Sequence, residues 1–166
     1  MTSAAASDAM AAAAVEQIFT APASGQAQAT PARITVIAGA GIEGDRYCGR
    51  HDEPGQNITL IEAEELEAFF AEQGRAPDFS LAHRNLVTRG VRLNELVGRE
   101  FQVGAVRLRG VELCEPCMGL GTALATADWT AAAVVKRLLH RGGLRADVLS
   151  DGVIDCGAAV RSGPAR

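Results

Sequence analysis

FQVGAVRLRGVELCEPC, from Phe101 to Cys117, is the stretch whose pattern decides the fold. Phe101 and Val103 alternate with polar neighbours, Val106 and Leu108 do the same, and Gly104-Ala105 separates the two runs. That is the pattern of a β-hairpin with one buried face. Beyond Gly110 the apolar phase moves to Val111 and Leu113, which predicts a bulge at the glycine. The long second strand then ends in Cys114-Glu115-Pro116-Cys117.

Other short strands surround this hairpin. Val15–Thr20 and Ala32–Ala38 read as strands, the latter with Ile34 and Val36 on one face. Asn57–Ile61 reads as a strand running directly into a helix, with Thr59 and Glu62 at capping-box spacing and Gly74 as the stop. A short strand falls within Arg84–Val91, and Leu93–Val97 suits a single helical turn. Asp128 or Thr130 caps a second helix that turns Val134, Val135, Leu138 and Leu139 inward and ends at Gly142-Gly143. Val148–Ser150 and Val153–Ile154 flank Asp151-Gly152, a two-residue hairpin signal. Many short strands with two clear helices predict a mainly β, α+β domain shaped like a β-barrel.

The 166 residues suit one domain, expected over 15–166, behind an alanine-rich tail at 1–14. With 48% hydrophobic and 22% charged residues, the chain has an ordinary globular composition. A net charge of −4 and the absence of any basic run argue against nucleic-acid and membrane partners. No apolar run is long enough to span a bilayer, and the first basic residue is Arg33, so neither a secretory nor a transit leader is expected and a cytoplasmic location is. Lys136 is the only lysine among sixteen basic residues; arginine forks phosphates and carboxylates better than lysine does.

Three stretches carry chemistry. Gly41–Arg46 combines glycines with Asp45 and Arg46, which suits an anion-binding turn or a plain surface turn. His83–Arg89 brings His83, Arg84, Asn85 and Arg89 between apolar segments, a donor-rich set for a phosphate or polar heterocycle, or a solvated strand face. Cys114 and Cys117 admit three chemistries. A redox pair would want a long helix directly after the motif, where Gly119 and Gly121 stand. A zinc site could draw on Cys48, His51, Cys114 and Cys117. A single working thiolate could ligate a soft metal or carry sulfane sulfur.

Taken in order, GIEGDRY (Gly41–Tyr47), NITLIEAEELE (Asn57–Glu67), HRNLVTRGVRLNELVGREFQVG (His83–Gly104), LCEPC (Leu113–Cys117) and HRGGLRADVL (His140–Leu149) resemble a MOSC domain. MOSC stands for molybdenum cofactor sulfurase C-terminal, and the likeness is to the free-standing bacterial type. It runs from about Val36 to Val160. The resemblance implies a β-barrel-like fold that binds molybdenum cofactor (molybdopterin), with Cys117 as metal ligand or sulfur carrier. It makes Arg46, Arg84, Asn85 and Arg89 the expected cofactor-binding residues, and Asp45 or His83 the expected proton donor. Two activities follow from it. One is reduction of N-hydroxylated small molecules, with electrons from a separate reductase. The other is transfer of a Cys117 persulfide supplied by a cysteine desulfurase. A zinc-stabilised structural domain is the expectation from a different class.

Overall fold

The computed structural model describes residues 12–50 and 52–163. The chain runs β1 (Ala14–Ile18), β2 (Arg33–Ile37), β3 (Gly41–Ile42), β4 (Ile58–Glu62), α1 (Ala63–Glu72), β5 (Leu86–Arg89), β6 (Glu100–Val103) and β7 (Val106–Leu113). It continues through α2 (Met118–Leu124), α3 (Ala131–Leu138), β8 (Leu144–Val148), β9 (Gly152–Asp155) and β10 (Val160–Ser162). Single 3-10 turns occupy Phe79–Ala82 and Leu93–Leu96.

Seven strands form one sheet in the order β1-β5-β4-β8-β7-β6-β10, antiparallel except for the β4/β5 pair. The two edge strands meet: Val15 N–H donates to Ala158 O at 2.9 Å and Val160 N–H to Ala13 O at 2.8 Å. The sheet therefore curls into a nearly closed barrel, which removes most of its exposed edge. Inside it lie Ile18, Leu60, Leu86, Phe101, Leu108 and Leu144, all essentially without solvent exposure. A second sheet, β3-β2-β9, completes the mainly β, α+β architecture.

Strand alternation explains the helical layer. Leu60 and Leu86 point into the barrel, whereas Ile61 and Val87 join a separate cluster with Leu66, Phe69, Phe70, Leu124, Val134 and Leu138 from the helices. β4 and β5 are apolar on both faces, which is why Ile58–Ile61 reads as a nearly continuous hydrophobic run. The bulge falls where the phase shift placed it, between Gly110 and Glu112. Gly110 is required for a second reason: a Cβ there would sit 2.1 Å from Leu96 O of the crossing 3-10 turn.

Several local expectations are corrected. The Asp151-Gly152 turn does not close a hairpin, because β9 pairs with β2, and the Asp151 carboxylate accepts instead from Ala38 N–H at 2.8 Å. Thr59 and Glu62 form no capping box; Thr59 bonds Asn85, and the Glu62 carboxylate accepts from Leu93 N–H. Burial pushes the Glu62 carboxyl above its usual range. Leu139 ends α3 exposed instead of facing inward. The barrel also begins earlier than Val15, since Ala14 opens β1 and Ala13 packs on the core; residues 1–11 of the expected tail lie outside the described residues. Of the two candidate caps for α3, Thr130 serves, its side chain accepting from Ala133 N–H at 3.1 Å. Thr130→Ala should cost about 1 kcal/mol, read as a lowered midpoint in urea unfolding with unchanged slope.

Candidate functional site

Where β7 leaves the barrel, the Cys114–Cys117 loop borders a hollow of about 550 Å³, a volume within the range of small-molecule sites. The 45–47 turn, residues 83–85 ahead of β5, Gln28, Gln56 and Arg145 complete its wall.

The two cysteines of the motif have different fates. Cys114 is buried, its N–H donating to Gly143 O at 2.8 Å. Cys117 is exposed and stands immediately before α2. Its thiol is held below the usual cysteine range, chiefly by the Leu120 backbone N–H, aided by the Gly119 N–H and the Arg84 charge and opposed by partial burial. The outcome is a solvent-facing thiolate at neutral pH more often than for a free cysteine. Alkylation of Cys117 by iodoacetamide should accordingly rise with pH and level off at a lower midpoint than that of free cysteine. A midpoint at or above the free value contradicts this account.

The loop is held from behind by Arg84, which is 9% exposed. Its guanidinium donates to Gly142 O at 2.9 Å, Ala82 O at 3.0 Å and Cys114 O at 3.2 Å. Glycine is required on the facing turn, because a Cβ on Gly142 would lie 2.3 Å from Cys114 O. Glu115 adds a tether, accepting from His140 N–H at 3.0 Å and meeting His140 Nδ1 at 3.0 Å. His140 adopts a left-handed φ of 61° to make this contact.

The expected site residues divide. Cys117, Arg84, His83, Arg46, Asp45 and Asn85 all border the hollow. Arg89 does not. At the far end of β5 its guanidinium is shared by Glu16, at 2.6 Å, and Glu67, at 2.5 Å, and these carboxylates raise its pKa further. Asn85 reaches the wall but is consumed by the fold: its Oδ1 accepts from Thr59 N–H and Oγ at 3.1 Å, and its Nδ2 donates to Phe19 O. Asp45 is similarly occupied, accepting from Ala21 N–H at 3.0 Å and Tyr47 N–H at 3.1 Å, so it fastens the loop to the end of β1. His83 is held below the ordinary histidine pKa by partial burial and then by the Arg46 and Arg84 charges. It is therefore neutral near pH 7 and must take up a proton before delivering one.

Among the described residues no three His, Cys, Asp or Glu side chains gather to hold a metal ion, so Cys48, Cys114 and Cys117 assemble no zinc site; His51 lies outside the described residues. α2 directly follows the motif, contrary to expectation, but spans only 7 residues. Also among the described residues, no helix is long and apolar enough to cross a membrane. Tyr47 and Arg145, inside the GIEGDRY and HRGGLRADVL stretches but not singled out there, also border the hollow, as do Gln28 and Gln56, which belong to no recognisable motif.

The family model described as MOSC domain matches residues 49–161. No curated protein matches in sequence. Among solved structures, the YuaD protein from Bacillus subtilis aligns with a TM-score of 0.79 at 18% identity, covering 93% of this chain and 97% of that one. YiiM from Geobacillus stearothermophilus gives 0.68 at 15% identity, covering 92% and 75%. YiiM from Escherichia coli gives 0.62 at 17%, covering 90% and 69%. At such identities these structures speak for the fold, and the family-model match covers most of the chain. This protein belongs to the MOSC domain family.

Proposed function

We propose that the hollow binds molybdenum cofactor with the Cys117 thiolate as the protein ligand to the metal, and that the loaded protein reduces N-hydroxylated small molecules. The observation that carries this reading is an exposed sulfur, biased toward thiolate, beside a buried arginine that has no carboxylate partner among the described residues. A soft anionic sulfur suits a soft or high-valent metal. The residues present fit the rest of the group as well. Arg46 stacks on Tyr47 and, among the described residues, pairs with no carboxylate, which leaves its donors for a phosphate. Gln28 and Gln56 each keep a buried amide oxygen without a donor.

When bound, the cofactor supplies a metal centre able to accept the oxygen of an N–O bond. The chain's own residues orient and charge the site. Arg84 fixes the loop that presents Cys117, and Arg46 brings a guanidinium to the edge of the hollow. His83, neutral at rest, relays a proton at the imidazole between solvent and the bound substrate. Net reduction of the N–O bond to N–H and water takes two electrons and two protons, the electrons coming from a separate electron-donor reductase.

A second reading has an observation of its own. Cys117 is open to solvent, so a second protein can reach it. That accessibility suits a persulfide received from a cysteine desulfurase and passed on to the cofactor or to another metal–sulfur centre.

Assay on amidoximes and N-hydroxyguanidines with a reduced dye as donor separates the two. Turnover by molybdenum-loaded protein supports the reductase reading. Cyanide-releasable sulfur on Cys117, without molybdenum and without turnover, supports sulfur carriage and overturns it.

A further inference from the structure

Two side chains at the hollow hold an acceptor that the protein itself does not use. Gln28 Oε1 and Gln56 Oε1 are both shut off from solvent, and neither has a hydrogen-bond partner. Both residues border the hollow that contains Cys117. A buried amide oxygen without a donor is costly, and folded chains rarely keep one without a use. Here two of the three such side-chain atoms among the described residues belong to residues that border one cavity.

Their backbones are fixed while their amides are not. Gln28 precedes Ala29, which exchanges backbone hydrogen bonds with Thr20 at 2.8 and 3.0 Å. Gln56 lies between Gly55, whose N–H donates to Asp147 at 2.7 Å, and Asn57, whose Oδ1 accepts from Val148 N–H at 3.1 Å. Asn85 on the same wall makes a useful contrast, because its amide oxygen accepts two bonds within the protein. An unused amide is therefore a property of these two positions and not of the wall in general.

The chemistry of a matching ligand follows. Neutral amide oxygens ask for N–H donors. The charged side chains bordering the hollow are Arg46, Arg84 and Arg145 against Asp45 and Glu115, a balance that does not favour a cation and leaves a neutral, donor-rich edge as the match for the two oxygens. A fused heterocycle with an amino group beside a ring amide offers such an edge.

We propose that Gln28 and Gln56 recognise the donor edge of the bound heterocycle, the 2-amino and ring N–H hydrogens of the pterin, and so select the ring system. This rests on the reading that the ligand is a pterin cofactor. The glutamines would take the ring and leave the phosphate to Arg46. Because both oxygens are shut off from solvent, each terminal amide would have to turn toward the hollow on binding.

The test is fluorescence titration of 6-carboxypterin with the full chain, with 6-carboxylumazine, which has an oxo group in place of the 2-amino donor, as the comparison. The wild-type chain should bind the pterin more tightly than the lumazine. Gln28→Leu and Gln56→Leu should each weaken pterin binding about tenfold, the value of one such bond at 1.4 kcal/mol per decade, and the double variant should lose the preference. Ligand-free melting temperatures should stay equal or rise, because each substitution removes an orphaned polar atom. Binding and preference unchanged in the variants, a fall in stability that tracks the loss of binding, or no pterin binding by the wild-type chain would overturn the inference. Metal content separates its failure from that of the function reading. Glutamine-dependent pterin binding without molybdenum on Cys117 sinks the metal reading alone, whereas molybdenum held on Cys117 with no dependence on the glutamines sinks this inference alone.

Discussion

Arg84→Met is expected to remove on the order of 3–5 kcal/mol of stability, a large share of the roughly 5–15 kcal/mol a domain of this size possesses. Three carbonyls, those of Ala82, Cys114 and Gly142, lose their donor in one step. Each orphaned, buried acceptor costs about 1–3 kcal/mol, and release of the guanidinium from its buried setting offsets part of the sum. The substitution also removes the cation that helps hold the Cys117 thiol down, so the alkylation midpoint should move up with it. Arg84→Lys should recover some of the charge effect but little stability, since an ammonium cannot fork toward three carbonyls. Urea unfolding and the pH profile of alkylation check both parts. A loss below about 1 kcal/mol would mean that water replaces the arginine easily and that the loop is held by other contacts.

Cys117→Ser should abolish turnover while leaving the fold almost untouched. Cys117 is exposed and contributes nothing to the buried core, so the change in stability should stay within about 0.5 kcal/mol. A serine hydroxyl is not appreciably ionised near neutral pH, even beside the Leu120 and Gly119 N–H groups, and is a poor ligand for a soft metal. Cys114→Ser should show the opposite balance. Its buried site would now hold a hydroxyl, with measurable destabilisation and retained function. Unfolding curves beside the amidoxime assay give both readings from the same preparations.

The barrel was legible in the sequence because alternation survives wherever a strand has one wet face, as in Glu100–Val103 and Val106–Leu113. The bulge at Gly110 showed as a phase shift for the same reason. α2 escaped notice because Gly119 and Gly121 read as breakers. Gly121 is there for packing, since a Cβ on it would lie 2.6 Å from Ala131 O of α3. The Asp151-Gly152 signal misled because turn chemistry is local, whereas β9 finds its partner more than a hundred residues upstream at β2.

At the site, residue types alone left Cys114, Cys117 and Arg84 open to several readings, and only the family resemblance singled out Cys117 and Arg84; both border the hollow. The assignment of Arg89 failed on facts remote in sequence: Glu16 and Glu67 claim it. Asn85 and Asp45 reach the hollow yet spend their polar atoms on the backbone. Gln28 and Gln56 carry no motif, and only the fold shows that their oxygens are unmatched.

The most direct measurement is molybdenum content by elemental analysis, on protein purified from a molybdenum-replete host. The account predicts near-stoichiometric molybdenum in wild-type and Cys114→Ser protein and background levels in Cys117→Ser. Equal molybdenum in Cys117→Ser and wild type, or stoichiometric zinc in its place, would contradict it.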